Sequence, residues 1–448
     1  MNALINSLTN NARVIIAVAF FILSSIPIMA GCSWDSAALV GMHECMAAIC
    51  VYGIFSSLKR PYSLFKVLNI FYLFFFCIAP MMQYHQGVCM LGTHFTYKNY
   101  LLTSAVSLAV IVLTHAVYYW AERYFDKKHS ENTHSNEHKC EVCLTTRKEV
   151  ILILLSAAAC FYAIYINHFD VMSLFIRDGE TNNRMELPTS VFLVGSYFVR
   201  PISLMALLAA VILGVKHRGV KALLFLMLLI AIPPTGVARF LVAAMYLPVL
   251  MCFVPRLRRG LSFVLVICLG VMIVFPLLNY FRFYGQRTFA ISSIYSQFVD
   301  INFDAYSMMM RVIKDDIVTN GMQLAGALLF WLPRSIWAAK PISSGYYVAH
   351  TTGLSWDDLS MPFWGEGYIN FGYFGVIIFT VAFALLLAKL DSKYWCITVK
   401  RPKDLNAISY YIMLGLLMFI LRGSMMSALA YTVAIMTAFY CVKKIVTR

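Results

Sequence analysis

Residues 371–389 read FGYFGVIIFTVAFALLLAK, and this stretch decides the fold class. It contains no acidic residue, and its one basic residue, Lys389, stands at its end. A helix of about 20 predominantly apolar residues is long enough to cross the hydrocarbon core of a bilayer. Similar apolar runs recur along the whole chain, so the pattern predicts an all-α polytopic membrane protein.

The composition of the chain agrees with a membrane location. Of its 448 residues, 61% are hydrophobic and only 13% are charged, whereas a soluble domain carries about a quarter charged residues. Such a chain has too little polar surface to cover a water-soluble globule. Its formal net charge of +15 would suggest nucleic acid in a soluble protein, but in a membrane protein it indicates basic cytoplasmic loops, and no nucleic-acid partner is expected.

The apolar runs predict about twelve transmembrane helices in a single integral membrane domain over residues 1–448. We interpret the first run as an uncleaved span and not as a signal peptide. Pro233-Pro234 interrupts the chain between the seventh and eighth runs, so whether these two cross completely stays open. The predicted spans are 14–31, 36–58, 65–82, 100–121, 149–167, 190–215, 222–234, 240–255, 261–280, 371–389, 406–421 and 425–441.

The positive-inside rule orients these spans. With the amino terminus in the cytoplasm, the inner loops and tails hold 24 of the 36 Lys and Arg residues, and both termini are cytoplasmic. Two long hydrophilic stretches then become a cytoplasmic loop at 122–148 and a large periplasmic loop at 281–370. We therefore expect a multi-pass protein of the bacterial inner membrane.

The basic residues on the periplasmic side are mostly arginine, with nine Arg against three Lys. Insertion disfavours positive charge there, and arginine offers a planar fork that grips phosphate with two hydrogen bonds. Arg200, about ten residues into its span, and Arg239, at the outer turn after Pro233-Pro234, are predicted to contact an anionic substrate. A structural ion pair is the alternative for each. Ion pairs with nearby acids are the plainer explanation for Arg177, Arg184, Arg287 and Arg311.

The predicted periplasmic loop mixes aromatic residues with short polar ones, which is the composition that a sugar site needs. An interfacial aromatic belt is the alternative interpretation. The loop and the residues next to it contain NYFRFY at Asn279–Tyr284, WLPRSIW at Trp331–Trp337 and GEGYINFG at Gly365–Gly372.

Motifs for nucleotide or metal chemistry give no comparable signal. No Gly-rich phosphate loop and no zinc-peptidase motif appears in the sequence. One group in the cytoplasmic loop has zinc-ligand spacing, but a solvated charged loop is the favoured interpretation, and no metal is expected. The group consists of His134, His138, Cys140 and Cys143.

The segment Pro234–Phe240, PTGVARF, resembles the PTG-x-x-RF segment of O-antigen polymerases, the Wzy family. Trp331–Pro341 and Gly365–Gly372 are similar to the outer-loop motifs of that family, and the layout of spans and loops is similar too. The resemblance implies a fold related to the GT-C membrane glycosyltransferases. It also implies an enzyme that transfers a growing sugar chain from one undecaprenyl-diphosphate-linked oligosaccharide to another, with no cofactor and no metal.

The resemblance also suggests roles for single residues. Glu366 is the first candidate for the base that takes the acceptor proton, and His350 is the second. Tyr280 and Asn370 are expected to contact the substrate. The donor diphosphate is expected to be held by arginines, first Arg239, Arg282 and Arg334, then Arg200.

Three other functions stay open at this point. An O-antigen ligase uses the same lipid donor on the same membrane face but passes the sugar chain to the lipid A core. A flippase for the lipid-linked unit would transport it without chemistry, although the chain shows no internal repeat of the kind that transporters carry. A non-catalytic partner of a polysaccharide chain-length regulator is the third alternative, and such a regulator is also an expected partner of a polymerase.

Overall fold

A computed structural model of the chain describes residues 2–56, 60–88, 92, 94–133, 145–170, 174–175, 185, 187–280, 296–354, 356–357, 359–399, 401 and 403–447. Every regular element in these residues is helical. The main helices are α1 (Asn2–Met29), α2 (Ala37–Phe55), α3 (Leu64–His85), α4 (Tyr97–Thr133), α5 (Thr146–Tyr165), α6 (Ser190–Ile212), α7 (Arg218–Ala231), α8 (Arg239–Phe253), α9 (Ser262–Leu277), α10 (Ala305–Lys314), α11 (Met322–Leu328), α12 (Ser344–Thr351), α13 (Phe363–Lys393), α14 (Asn406–Arg422) and α15 (Met425–Thr447).

Helices occupy all twelve predicted apolar segments. Within the described residues, eight are long enough and apolar enough to cross a membrane, namely α1 to α6, α13 and α15. The chain is thus an all-helical polytopic membrane protein, as predicted. The helix α7 has 14 residues and extends about 21 Å, less than the hydrocarbon core of about 30 Å. Because α8, α9 and α14 are also short, the number of twelve crossings stays a prediction.

Helical structure extends beyond the apolar runs. Helix α4 continues to Thr133, far into the predicted cytoplasmic loop at 122–148. The predicted periplasmic loop at 281–370 contains α10, α11, α12 and the first turns of α13. Hydropathy marks where a helix can contact lipid, whereas backbone hydrogen bonding continues until a cap or a breaker stops it.

The chain forms two compact units, each built from separate stretches of sequence. The first comprises Met1–Arg123, Ser292–Lys389 and Ile420–Ala428, and the second comprises Tyr124–Ile291, Leu390–Phe419 and Leu429–Arg448.

Helix α3 forms the centre of the first unit. It is apolar on nearly every face, as expected of a helix buried on all sides. Trp364, in the first turn of α13, stacks on Tyr72 with ring centroids 4.7 Å apart. The side-chain amide of Gln83 donates hydrogen bonds to the carbonyls of Phe298, at 2.8 Å, and Phe303, at 3.1 Å. Helix α3 therefore holds both the segment before α10 and the start of α13.

A kink divides α13 at Phe371 and Gly372. The carbonyl of Ile369, just before the kink, accepts a hydrogen bond from the N–H of Thr319 at 2.6 Å. Gly372 has φ +61° and ψ −149°, a conformation that is open almost only to glycine. The kink thus separates most of the GEGYINFG segment from the apolar run that follows it.

The second unit packs α5, α7 and α8 against α6. Helix α6 contains a widened π-helical turn at Gly195–Val199, followed by Pro201. Proline cannot donate a backbone hydrogen bond and clashes with the preceding turn. The extra residue in the π turn accommodates this clash, since the N–H of Arg200 bonds to the carbonyl of Gly195 at 3.0 Å. The arginine is therefore located at an interruption of the helix.

We expect Gly372→Ala to lower the free energy of unfolding by about 1–3 kcal/mol, because alanine would have to adopt a conformation that is nearly restricted to glycine. Thermal unfolding of the detergent-purified protein measures the change. Gly41→Ala in α2 is the matched control, since an added Cβ at either glycine meets no atom within 4 Å and only Gly372 has a positive φ. Equal stability of the two variants would contradict the assigned backbone conformation.

Candidate functional site

The second unit contains a pocket with a buried arginine in its wall. Arg200 is only 7% exposed, and its Nε donates a hydrogen bond to the carbonyl of Ala231 at the end of α7. The cavity has a volume of about 120 Å³ and is open to the surface. Most of its wall is apolar, with Phe192, Pro201, Ile232, Leu241 and Met245 among the lining residues.

The polar part of this pocket consists of three different groups. Besides the Arg200 guanidinium, the buried Ser196 adds a hydroxyl. The third group is the turn Gly236–Ala238, which directly precedes α8. The first N–H groups of a helix have no partner within the helix, and this end carries partial positive charge. A cation, a hydroxyl and a helix amino end form an arrangement that suits an anion.

The motif glycine Gly236 permits a close backbone approach. A Cβ at this position would lie 1.9 Å from the carbonyl oxygen of Leu174, so no larger residue fits without movement. The Gly236 N–H donates to the carbonyl of Pro233 at 3.1 Å and closes the turn between α7 and α8. The PTG part of the motif therefore forms the turn at the amino end of α8.

Arg239 is the first residue of α8 and is half-buried. Its guanidinium carbon lies 4.2 Å from the centroid of the Phe275 ring, and its Nη1 donates to the carbonyl of Phe275 at 3.3 Å. This cation–π contact orients the guanidinium beside the amino end of α8. Arg239 follows directly on the residues that line the Arg200 pocket.

Glu366, in the first unit, is buried in the first turn of α13 with 1% exposure. Its Oε2 accepts a hydrogen bond from the hydroxyl of Ser344 at 2.7 Å, and its Oε1 accepts from the N–H of Met425 at 2.7 Å. Because Met425 is the first residue of α15, Glu366 satisfies the amino end of that helix and ties α12 to α13. The buried carboxylate presents no oxygen to an incoming sugar in this arrangement.

A second buried carboxylate, Asp304, is not among the predicted catalytic or substrate-binding residues. Its Oδ1 pairs with Nη2 of Arg422 at 3.0 Å and accepts from the Ser360 hydroxyl at 2.6 Å. Arg422 is among the nine arginines assigned to the periplasmic side, but 118 residues separate it from Asp304, and no spacing rule connects them. Arg422 and Met425 flank the α14–α15 turn, so two buried carboxylates hold this turn.

Asn370, a predicted substrate contact, is fully buried and serves the backbone. Its Oδ1 accepts from the N–H of Leu324 at 2.7 Å, and its Nδ2 donates to the carbonyl of Glu366 at 2.9 Å. Its own carbonyl accepts from the N–H of Gly321 at 3.0 Å. Asn370 therefore fixes α11 to the part of α13 that precedes the kink.

Residues 328–341, which include the predicted WLPRSIW motif, form a loop that two cations close; we call it the clasp loop. Nη1 and Nη2 of Arg334 donate to the carbonyls of Lys340, at 2.6 Å, and Pro341, at 3.3 Å. Nζ of Lys340 donates to the carbonyls of Phe330, at 2.6 Å, and Leu332, at 2.9 Å. Partial burial, and then the nearby charge of Arg334, lower the pKa of Lys340 from its ordinary value.

His350, the second candidate base, is exposed in the last turn of α12, and its ring lies 5.1 Å from that of Tyr346. The same helix contributes Ser344, the hydrogen-bond partner of Glu366. Of the two candidate bases, His350 is at the protein surface and Glu366 is in the core.

Several predicted residues lie outside the part of the chain that the structure describes. Arg282 is one, and only the backbone of Tyr280 is described, as the end of a helical turn. Among the arginines assigned to ion pairs, the prediction is confirmed for Arg311, whose Nη1 lies 3.4 Å from Oδ2 of Asp315. The described residues contain no group of three or more potential metal ligands. The other predicted residues outside the described ranges are Arg177, Arg184, Arg287, His134, His138, Cys140 and Cys143.

We expect Glu366→Ala to destabilise the protein more than Ser344→Ala does. Loss of the carboxylate leaves the buried Met425 N–H unsatisfied, at about 1–3 kcal/mol, and leaves the Ser344 hydroxyl with only its 3.4 Å hydrogen bond to Oε1 of Gln323. Chemical unfolding in detergent, followed by circular dichroism, measures the difference. His350→Ala on the same helix as Ser344 is the control, expected within about 0.5 kcal/mol of the parent protein. If Glu366→Ala and Ser344→Ala unfolded alike, the assigned cap on α15 would be wrong.

The chain matches no protein-family model, no curated protein and no solved structure. The resemblance to O-antigen polymerases therefore depends on the short motifs quoted above. What those motifs build, namely the pocket beside α8, the clasp loop and the buried cluster around Glu366, is the basis for a functional proposal.

Proposed function

We propose that this chain is an O-antigen polymerase, a glycosyltransferase that joins undecaprenyl-diphosphate-linked oligosaccharide repeat units at the periplasmic face of the bacterial inner membrane. The observation that carries the proposal is the buried guanidinium of Arg200 in the wall of a mostly apolar pocket. Charge inside a membrane helix is costly and marks functional sites by default. The turn that completes the pocket belongs to the PTGVARF segment, which resembles the polymerase motif.

A lipid diphosphate suits this pocket because it joins an anionic group to an apolar chain. Arg200 supplies permanent charge, and the amino end of α8 supplies N–H groups with partial positive charge. Arg239, held over the Phe275 ring, adds a second guanidinium next to that helix end. The apolar wall, including Leu241 and Met245, is then the surface for the first carbons of the lipid.

The proposed reaction exchanges one bond for another. The bond between the anomeric carbon of the donor sugar and the diphosphate oxygen breaks, and undecaprenyl diphosphate leaves with the electron pair. The acceptor hydroxyl oxygen forms a new bond to the same carbon, and its proton passes to a base on the protein. Fixed cations accelerate such a step by stabilising the charge that develops on the leaving group.

Of the two candidate bases, we favour His350 because its side chain is exposed and that of Glu366 is buried. A general base must reach the acceptor hydroxyl directly or through one water, and the His350 ring is exposed. Both oxygens of Glu366 are already hydrogen-bonded in the core, so we assign it a positioning role. It holds α12, which carries His350, against α13 and α15.

The proposal includes a topology of twelve crossings with both termini in the cytoplasm, and an arrangement related to the GT-C glycosyltransferases. It requires Gly236 and the 281–370 segment to face the periplasm. Reporter fusions at these positions test the requirement, and a cytoplasmic signal from either would rule the proposal out.

For the reaction itself, we expect Arg239→Ala to reduce the rate of polymer formation about 10²- to 10³-fold, the usual effect of removing one preorganised hydrogen-bond donor. Arg239→Lys keeps the charge without the planar fork and should remain clearly impaired. The assay supplies purified lipid-linked repeat unit to the protein in liposomes and separates the products on a gel. Arg256→Ala, an exposed arginine assigned to the cytoplasmic side, is the control and should polymerise normally.

The products of the same assay separate the other functions. Single transfer to added lipid A core, without longer chains, would indicate a ligase. Movement of the lipid-linked unit across the liposome membrane without new glycosidic bonds would indicate a flippase. Normal polymer from Arg239→Ala would exclude that residue from the site.

A further inference from the structure

The clasp loop, residues 328–341, has a surface that its assigned contacts do not explain. Its side chains include large apolar groups that point away from the protein, with Trp331 66% and Ile336 72% exposed. Leu328 and Leu329 at the start of the loop are exposed as well. Clusters of exposed apolar side chains of this kind mark contact with a partner or with a membrane.

The shape of the loop keeps these side chains turned outward. The N–H groups of Ile336 and Trp337 both bond to the carbonyl of Pro333 at 3.1 Å, which closes a tight turn. Hydrogen bonds from the Arg334 side chain to the carbonyl of Lys340, and from the Lys340 side chain to the carbonyl of Phe330, then join the two arms of the loop. The two side chains thereby satisfy four carbonyls of the loop itself, those of Phe330, Leu332, Lys340 and Pro341.

The charge on the loop is positive and locally unbalanced. No acidic residue occurs between positions 317 and 356, and none of the ion pairs among the described residues involves Arg334 or Lys340. Arg334 has five N–H donors and Lys340 has three, and the clasp uses two of each. The loop thus presents two neighbouring cations with further N–H donors, and exposed Trp331 and Ile336 flank them. This arrangement suits a layer of phosphate groups above a layer of hydrocarbon.

We propose that the clasp loop inserts into the headgroup layer of the membrane, with Trp331 and Ile336 among the upper acyl carbons and Arg334 and Lys340 bound to phospholipid phosphates. Charge complementarity favours this partner over an apolar protein surface, where both cations would be buried without anions. The loop then anchors the segment between α11 and α12 at the membrane interface. This inference does not depend on the transfer reaction, and the test below contains no sugar donor.

The test uses the full-length protein in nanodiscs of equal parts phosphatidylglycerol and phosphatidylcholine. Benzoylphenylalanine, a photo-crosslinking residue, replaces Ile336 in one sample and Thr351, an exposed polar residue on α12, in the control. Mass spectrometry after illumination identifies the adducts. We expect phospholipid adducts at position 336 and few at position 351. Phosphatidylglycerol should exceed phosphatidylcholine among them by about fivefold, the effect of one cation near an anionic surface.

Two variants separate charge from loop structure. Arg334→Lys and Arg334→Gln both lose the arginine fork, but only Arg334→Lys keeps the charge, so it should retain more of the phosphatidylglycerol preference. Absence of lipid adducts at position 336 would overturn the proposal, as would crosslinks to a second copy of the chain or to another protein. Equal lipid labelling at positions 336 and 351 would also overturn it.

Discussion

An ionised or hydrogen-bonding side chain inside an apolar helical bundle must find its partners within the protein, because lipid tails and packed hydrocarbon offer none. The buried polar groups of this chain meet that constraint in different ways. Asp304 accepts hydrogen bonds from a guanidinium and a hydroxyl, and Glu366 accepts hydrogen bonds from a hydroxyl and from an N–H at a helix end. Arg200 uses a backbone carbonyl at the end of a neighbouring helix and lies beside a pocket.

The same constraint applies to the backbone groups at two helix interruptions. In α6, the π turn before Pro201 places Arg200 at a break in the regular hydrogen-bond pattern. In α13, the kink at Gly372 leaves the carbonyl of Ile369 to bind the N–H of Thr319. Interruptions supply backbone groups at membrane depth, and such groups are tolerated there only where the protein itself satisfies them. These two interruptions lie beside residues that the sequence had singled out, Arg200 in α6 and Asn370 in α13.

The structure changes the interpretation of the GEGYINFG and WLPRSIW segments more than that of the PTGVARF segment. The PTGVARF segment combines a close-packed turn with a helix amino end beside a buried arginine, an arrangement that favours anion binding. The GEGYINFG segment has its polar side chains in the core, where Glu366 and Asn370 connect α11, α12, α13 and α15. The WLPRSIW segment forms an exposed loop whose cations bind its own carbonyls. Short polar motifs in this membrane protein thus include both pocket-lining residues and residues that hold helices together.

Hydropathy was enough to predict an all-helical membrane chain and the positions of its apolar helices, because hydropathy depends only on each segment and its immediate surroundings. The Arg311–Asp315 ion pair was predictable for the same reason, since the two residues are one helical turn apart. The sequence did not predict three other features: the pairing of Arg422 with Asp304, the cap that Glu366 provides for α15, and the pocket around Arg200. Each joins residues that are distant in sequence, and packing of the helices alone determines which of many polar side chains meet.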